Sequence, residues 1–118
     1  MSLYQEIILD HYKNPRNFGE LSGGTHEAES FNPLCGDKIR MQLIVEKGKI
    51  KDIKFSGVGC AVSTASASML TEQLKGKKVD KAKATTTKEV EELLGIELGP
   101  VRIKCALLPL EVLKKALK

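Results

Sequence analysis

The chain has 118 residues, 42% of them hydrophobic, which suits one domain with a modest core; aromatic residues are few and Trp is absent, so that core should be aliphatic. Lys and Arg outnumber Asp and Glu by 19 to 15, without the interleaved aromatics of a nucleic-acid platform, so the charge reads as ordinary solvated surface. No apolar run reaches signal-peptide or membrane-spanning length, so the expected compartment is the cytosol, where an odd set of three cysteines points to metal binding or thiol reactivity rather than a disulfide framework.

Ser2 to Lys13 reads as a helix. Ser2 and Gln5 fit a capping box, Leu3, Tyr4, Ile7, Ile8 and Tyr12 form a stripe at helical spacing, and Asn14-Pro15 ends it. Arg16 to Gly24 is a loop. His11 and His26 each lack a second His or Cys at ligand spacing, so both read as surface or packing residues. Thr25 to Phe31 is a candidate strand. A clearer one follows, with Ile39, Met41, Leu43 and Val45 alternating with Lys38, Arg40, Gln42 and Glu46. Lys47-Gly48 suits a tight hairpin turn into a return strand from Ile50 to Ser56. Ile50 is out of phase with Ile53 and Phe55, which predicts a bulge or an early strand end.

Gly57-Val58-Gly59-Cys60 closes that strand, and a helix is predicted from Ala61 to Lys75 with Gly76 as its cap. Its first half, with Ala61, Ser63, Thr64, Ala65, Ser66, Ala67 and Ser68, is small on every face and invites close packing. Gly76 to Thr85 reads as a lysine-rich connection. Thr86 and Glu89 fit a second capping box for a short helix carrying Val90, Leu93 and Leu94, which Gly95 ends. Pro100 opens a last helix with Val101, Cys105, Leu108 and Val112 on one face, and Pro109 should kink or restart it. Strands followed by helices predict an α+β fold: a small three-stranded antiparallel sheet covered by helices on one side.

Asn32-Pro33-Leu34-Cys35-Gly36-Asp37 places a thiol and a carboxylate on either side of a glycine, in a turn between extended segments. Gly36 frees the backbone to aim both side chains at one point. With Cys60 and Cys105 they make three sulfurs and one oxygen, a donor set for zinc or an iron–sulfur cluster. A carboxylate is the harder, weaker ligand for such a cluster, which suits a carrier that must release it. Cys60 falls at a helix N-terminus, which favours its thiolate, and Arg102 and Lys104 should lower the Cys105 pKa. Lys104 is assigned an electrostatic role, stabilising a thiolate or persulfide at Cys105 or pairing with Asp37. There is no C-x-x-C pair, and a cysteine such as Cys105 on an apolar helical face also serves as a small buried hydrophobe.

Taken together the motifs resemble the IscU/NifU family of iron–sulfur cluster assembly scaffolds. The match includes Asp10-His11-Tyr12-Lys13-Asn14-Pro15-Arg16-Asn17, the segment from Asn32 to Asp37, Gly57-Val58-Gly59-Cys60 with the Ser/Ala-rich Ser63 to Ser68, and Val101-Arg102-Ile103-Lys104-Cys105. The resemblance implies a single α/β sandwich domain over residues 1–118, with Cys35, Asp37, Cys60 and Cys105 as ligands at an exposed end. It implies a cysteine desulfurase that delivers sulfur, with Cys105 as the acceptor, and a labile [2Fe-2S] cluster handed to acceptor apoproteins. Zinc can occupy the same ligands, and a homodimer around a shared cluster is compatible with the family. IscU proteins carry His before the last cysteine, where this chain has Lys104. They also carry a chaperone-binding Leu-Pro-Pro-Val-Lys segment, which here is Leu98-Gly99-Pro100-Val101-Arg102. The basic residue at 104 is similar to the SufU branch of zinc-dependent sulfur acceptors, whose usual extra segment between the second and third cysteines is not found here.

Overall fold

In the computed structural model, which describes residues 2–118, the elements run α1 (Leu3–Lys13), β1 (His26–Asn32), β2 (Asp37–Glu46), β3 (Lys49–Val58), α2 (Ala61–Leu74), α3 (Val79–Ala84), α4 (Thr87–Leu94) and α5 (Pro100–Ala116). The three strands form one antiparallel sheet in the order β1-β2-β3. The expected alternation holds: Ile39, Met41, Leu43, Ile53 and Phe55 are all buried on one face. Lys47 and Gly48 close a two-residue hairpin with positive φ at both. The bulge is present too. Ile44 pairs with Asp52 but Val45 with Ile50, so Lys51 is the extra residue, and Ile50 returns to the core face fully buried.

The helices pack around α2. Its small residues do what their size allows: Ser63, Ala65, Ser66, Ala67 and Ser68 are all buried, and α1 and α5 lie against it. In turn α5 lies across β1 and β2, and α2 approaches β3. The free edge of β3 is covered at both ends. Phe55 exchanges backbone hydrogen bonds with Asn17 and Gly19, and Ile50 with Gly76 and Lys77.

The restart expected as one alternative at Pro109 does not occur, because α5 is one element through it, and three further local expectations need correction. Proline removes a backbone donor there, but Ser66 Oγ donates to the nearby Ala106 carbonyl at 2.6 Å, so packing on α2 supports the weakened turn. The lysine-rich connection contains the short helix α3, anchored by buried Ala82. The cap of α2 is Lys75, with Gly76 following it. On α1 the buried residues are Ile8 and His11, whereas Leu3, Tyr4 and Tyr12 are exposed, although Tyr4 lies against Gly95. The Ser2–Gln5 capping box is formed as expected.

His11 is the polar member of that contact. Its Nδ1 lies 2.7 Å from Ser68 Oγ, and Ser68 Oγ also accepts the Arg16 backbone N–H at 2.8 Å. Burial, aided by the Arg16 charge, holds the imidazole below its ordinary pKa of 6.5. The folded protein therefore binds this proton less readily than the unfolded chain. The associated stability is complete above the ordinary value and is lost as pH falls from there through the lowered one. Among the described residues, no helix is long and apolar enough to cross a membrane. The melting temperature should fall as pH drops below the ordinary histidine value of 6.5. His11→Asn, whose Oδ1 can stand in for Nδ1, should flatten that dependence. An unchanged slope in thermal melts of the variant would contradict the assignment to His11.

Candidate metal centre

The site is built where β1 turns into β2. Asn32 and Asp37 are paired across the end of the sheet, with Pro33 to Gly36 as the turn between them. The Asn32 carbonyl accepts the N–H groups of Cys35 at 3.2 Å and Gly36 at 2.8 Å. Its side-chain Oδ1 accepts the Leu34 N–H at 3.1 Å. Gly36 adopts φ 73°, the left-handed backbone expected of it. This turn presents Cys35 to solvent.

Asp37 is in phase with Ile39, Met41 and Leu43, so strand alternation aims it at the helices, and it is 2% exposed. There it meets the start of α2. Its Oδ1 accepts the Cys60 N–H at 2.9 Å, and its Oδ2 lies 3.8 Å from Cys60 Sγ. Cys60 is the N-cap of α2, with its Sγ accepting the Ser63 N–H at 3.5 Å. Gly57 permits this junction. At φ 126° it runs so close to β2 that a Cβ would stand 1.9 Å from the Lys38 carbonyl oxygen.

Cys105 enters from the second turn of α5 and is fully buried. Its Sγ is 3.0 Å from that of Cys35. The side-chain atoms of Cys35, Asp37 and Cys105 lie within 4.8 Å of one another, and Cys60 borders the group through Asp37. The four residues singled out by the sequence thus gather at one end of the sheet, graded from exposed Cys35 through half-buried Cys60 to buried Cys105.

The expected lowering of the Cys105 pKa is overturned. Burial, with the neighbouring Cys35, Asp37 and Cys60 side chains, pushes this thiol far above its ordinary range. Arg102 and Lys104 are both exposed, so water screens their charges. Among the described residues Lys104 has no ion pair with Asp37; it lines an apolar groove with Phe31, Leu34 and Leu107. Asn32 is a site residue to which the sequence reading gave no role. It is buried, and its Nδ2 points a weak donor at Cys105 Sγ from 3.8 Å. An Asn opening a Pro-containing turn was the available signal.

Tetrahedral zinc with bonds of about 2.3 Å to sulfur needs ligand atoms roughly 3.8 Å apart. The Cys35–Cys105 and Cys60–Asp37 spacings of 3.0 and 3.8 Å lie near that distance, so Cys35, Asp37 and Cys105 could hold the ion, with Cys60 bordering them through Asp37. Three thiolates and a carboxylate also supply the four ligands of a [2Fe-2S] cluster.

An α+β sheet with three cysteines and a carboxylate gathered at its end defines the class, and the comparisons agree. The sequence profile of the NifU-like N terminal domain family matches residues 3–118, and the chain belongs to this family. It is similar to the iron-sulfur cluster assembly scaffold protein IscU of Escherichia coli (strain K12), 38% identical over 118 positions covering 97% of this chain and 91% of IscU. It is also similar to the zinc-dependent sulfurtransferase SufU of Bacillus subtilis (strain 168), 37% identical over 131 positions covering 97% of this chain and 88% of SufU. Its structure resembles that of FiSufU from Fervidobacterium islandicum AW-1, described as an iron-sulfur cluster assembly scaffold protein for the SUF system. That match has a TM-score of 0.80 at 30% identity, covering 96% of this chain and 95% of that one.

Asn32→Ala removes the partner of the Leu34 N–H and the brace on Cys105. It should weaken zinc binding by about tenfold or more in a chelator competition, with the far-ultraviolet circular dichroism retained. Unchanged affinity would show that the turn holds Cys35 in place without Asn32.

Proposed function

We propose that the chain, as one domain over residues 1–118, is a scaffold that assembles a labile iron–sulfur cluster and hands it to acceptor apoproteins. Cys35, Asp37, Cys60 and Cys105 are its proposed ligands. The reading is carried by one observation: Cys35, Asp37 and Cys105, remote in sequence, lie within 4.8 Å of one another beside Cys60. The carboxylate is the weaker ligand for such a cluster, which suits transfer. Chain length supports the scaffold branch. The IscU match spans 118 positions, whereas the 131 of the SufU match exceed the chain's 118 residues, leaving at least 13 without a counterpart here.

Sulfur is proposed to come from a cysteine desulfurase. Cys105, the expected acceptor, is buried, and exposed Cys35 stands 3.0 Å from it. The two are therefore proposed to act as a pair, with sulfur arriving at Cys35 and passing inward by thiol exchange. The similarity to SufU, together with a basic residue at Lys104, favours a second reading: a zinc-dependent sulfurtransferase that accepts desulfurase sulfur.

Anaerobic reconstitution with iron and sulfide should give a visible chromophore that moves to an apo-ferredoxin. Zinc-loaded protein that speeds desulfurase turnover while never acquiring colour would select the second reading. Asp37→Ala should slow cluster transfer by about tenfold, some 1.4 kcal/mol in barrier. It should also cost about 1–3 kcal/mol of stability by stranding the Cys60 N–H. Transfer as fast as in the parent would refute the role given to the carboxylate.

A further inference from the structure

The Cys35–Cys105 contact has a second chemical use. We infer that the pair forms an internal reductant: once one of the two carries a persulfide, the other displaces its terminal sulfur as sulfide and closes a Cys35–Cys105 disulfide. This rests on the sulfur-accepting role proposed above and adds the step that role leaves open. Delivered sulfur is sulfane sulfur, whereas a cluster contains sulfide, so two electrons must be found at the site.

The geometry supplies them. The two Sγ atoms are 3.0 Å apart, so a persulfide on either residue has the partner's sulfur against its inner atom. For a persulfide on Cys35, the exposed side of that sulfur is where sulfur from outside arrives, and buried Cys105 lies on its inner side. Thiol–disulfide exchange proceeds by attack along the line of the bond that breaks, and a terminal sulfur on the solvent side of Cys35 would leave the buried side to Cys105. The Cys35 Sγ–S bond breaks and the Cys35 Sγ–Cys105 Sγ bond forms. Both electrons of the broken bond leave with the terminal sulfur. Cys105 attacks as the thiolate, so its proton is given up first and the departing sulfur takes one up from solvent; in sum persulfide plus thiol gives disulfide plus hydrogen sulfide. The sulfane sulfur is reduced to sulfide and the two cysteines are oxidised. A dithiol reductant must then reopen the disulfide before the pair can hold metal again, so the site would alternate between sulfide release and ligation.

The test uses the full-length, metal-free, reduced chain without small thiols or oxygen. It is exposed briefly to inorganic polysulfide, desalted, and followed by intact mass and by sulfide release. The parent should gain one sulfur and then lose it as one equivalent of sulfide. It should finish two hydrogens lighter than the reduced chain, with Cys35 and Cys105 in one cross-linked peptide. Cys105→Ser and Cys35→Ser should each keep their added sulfur about tenfold longer or more. The Cys35 variant alters an exposed side chain, and the parent's peptide map needs no variant, so misfolding of Cys105→Ser would not obscure the result. A parent that loads sulfur and holds it as long as the variants overturns the inference and leaves the proposed function standing. A disulfide to Cys60 overturns the assignment of the pair. A parent that never loads sulfur overturns both.

Discussion

The Asp37 carboxylate joins the two halves of the molecule. One oxygen caps the Cys60 backbone N–H at the start of α2, while the residue itself is the first of β2. Sheet and helix are thereby locked at the point where the sulfurs meet. The lock depends on strand parity. A register slip of one residue would turn Asp37 to the opposite face along with Ile39, Met41 and Leu43, and the site would vanish with the core. Burial of the aliphatic face and formation of the site are one event.

This coupling also explains the gradient of exposure across the site. The turn after β1 lies at the end of the sheet beside α5, and there Cys35 is open to solvent. The N-cap of α2 is half covered, and the inner face of α5 is dry. Cys35 is the most open of these sulfurs and Cys105 the least, so a metal ion or cluster held by all of them would reach into the interior. Accessibility thus separates the chemistry of delivery from that of ligation, although both use the same thiols.

Much of this was legible in the sequence because it depends on neighbours along the chain. Alternation at Ile39, Met41 and Leu43, the out-of-phase Ile50 and the Ser2–Gln5 box are local signals, and each appears as read. The gathering of Cys35, Asp37, Cys60 and Cys105 rested on the chemistry of the donors and on family resemblance. What was hidden depends on residues distant in sequence. Pro109 lies inside α5, near a carbonyl that accepts a hydroxyl from α2. His11 is buried against α2, where it bonds Ser68, which in turn accepts the Arg16 N–H. The Cys105 thiol responds to loss of water rather than to the cations beside it in sequence. Periodicity could not tell which part of the α1 stripe would find a partner.

The central claim is that sulfurs from three distant parts of the chain, with one carboxylate oxygen, close on a common ion. X-ray absorption at the zinc edge of zinc-loaded protein tests it most directly. The predicted first shell is three sulfurs at about 2.3 Å and one oxygen at about 2.0 Å, falling to two sulfurs in each single Cys→Ser variant. A shell with fewer than three sulfurs, or one that any of those substitutions leaves unchanged, would contradict it.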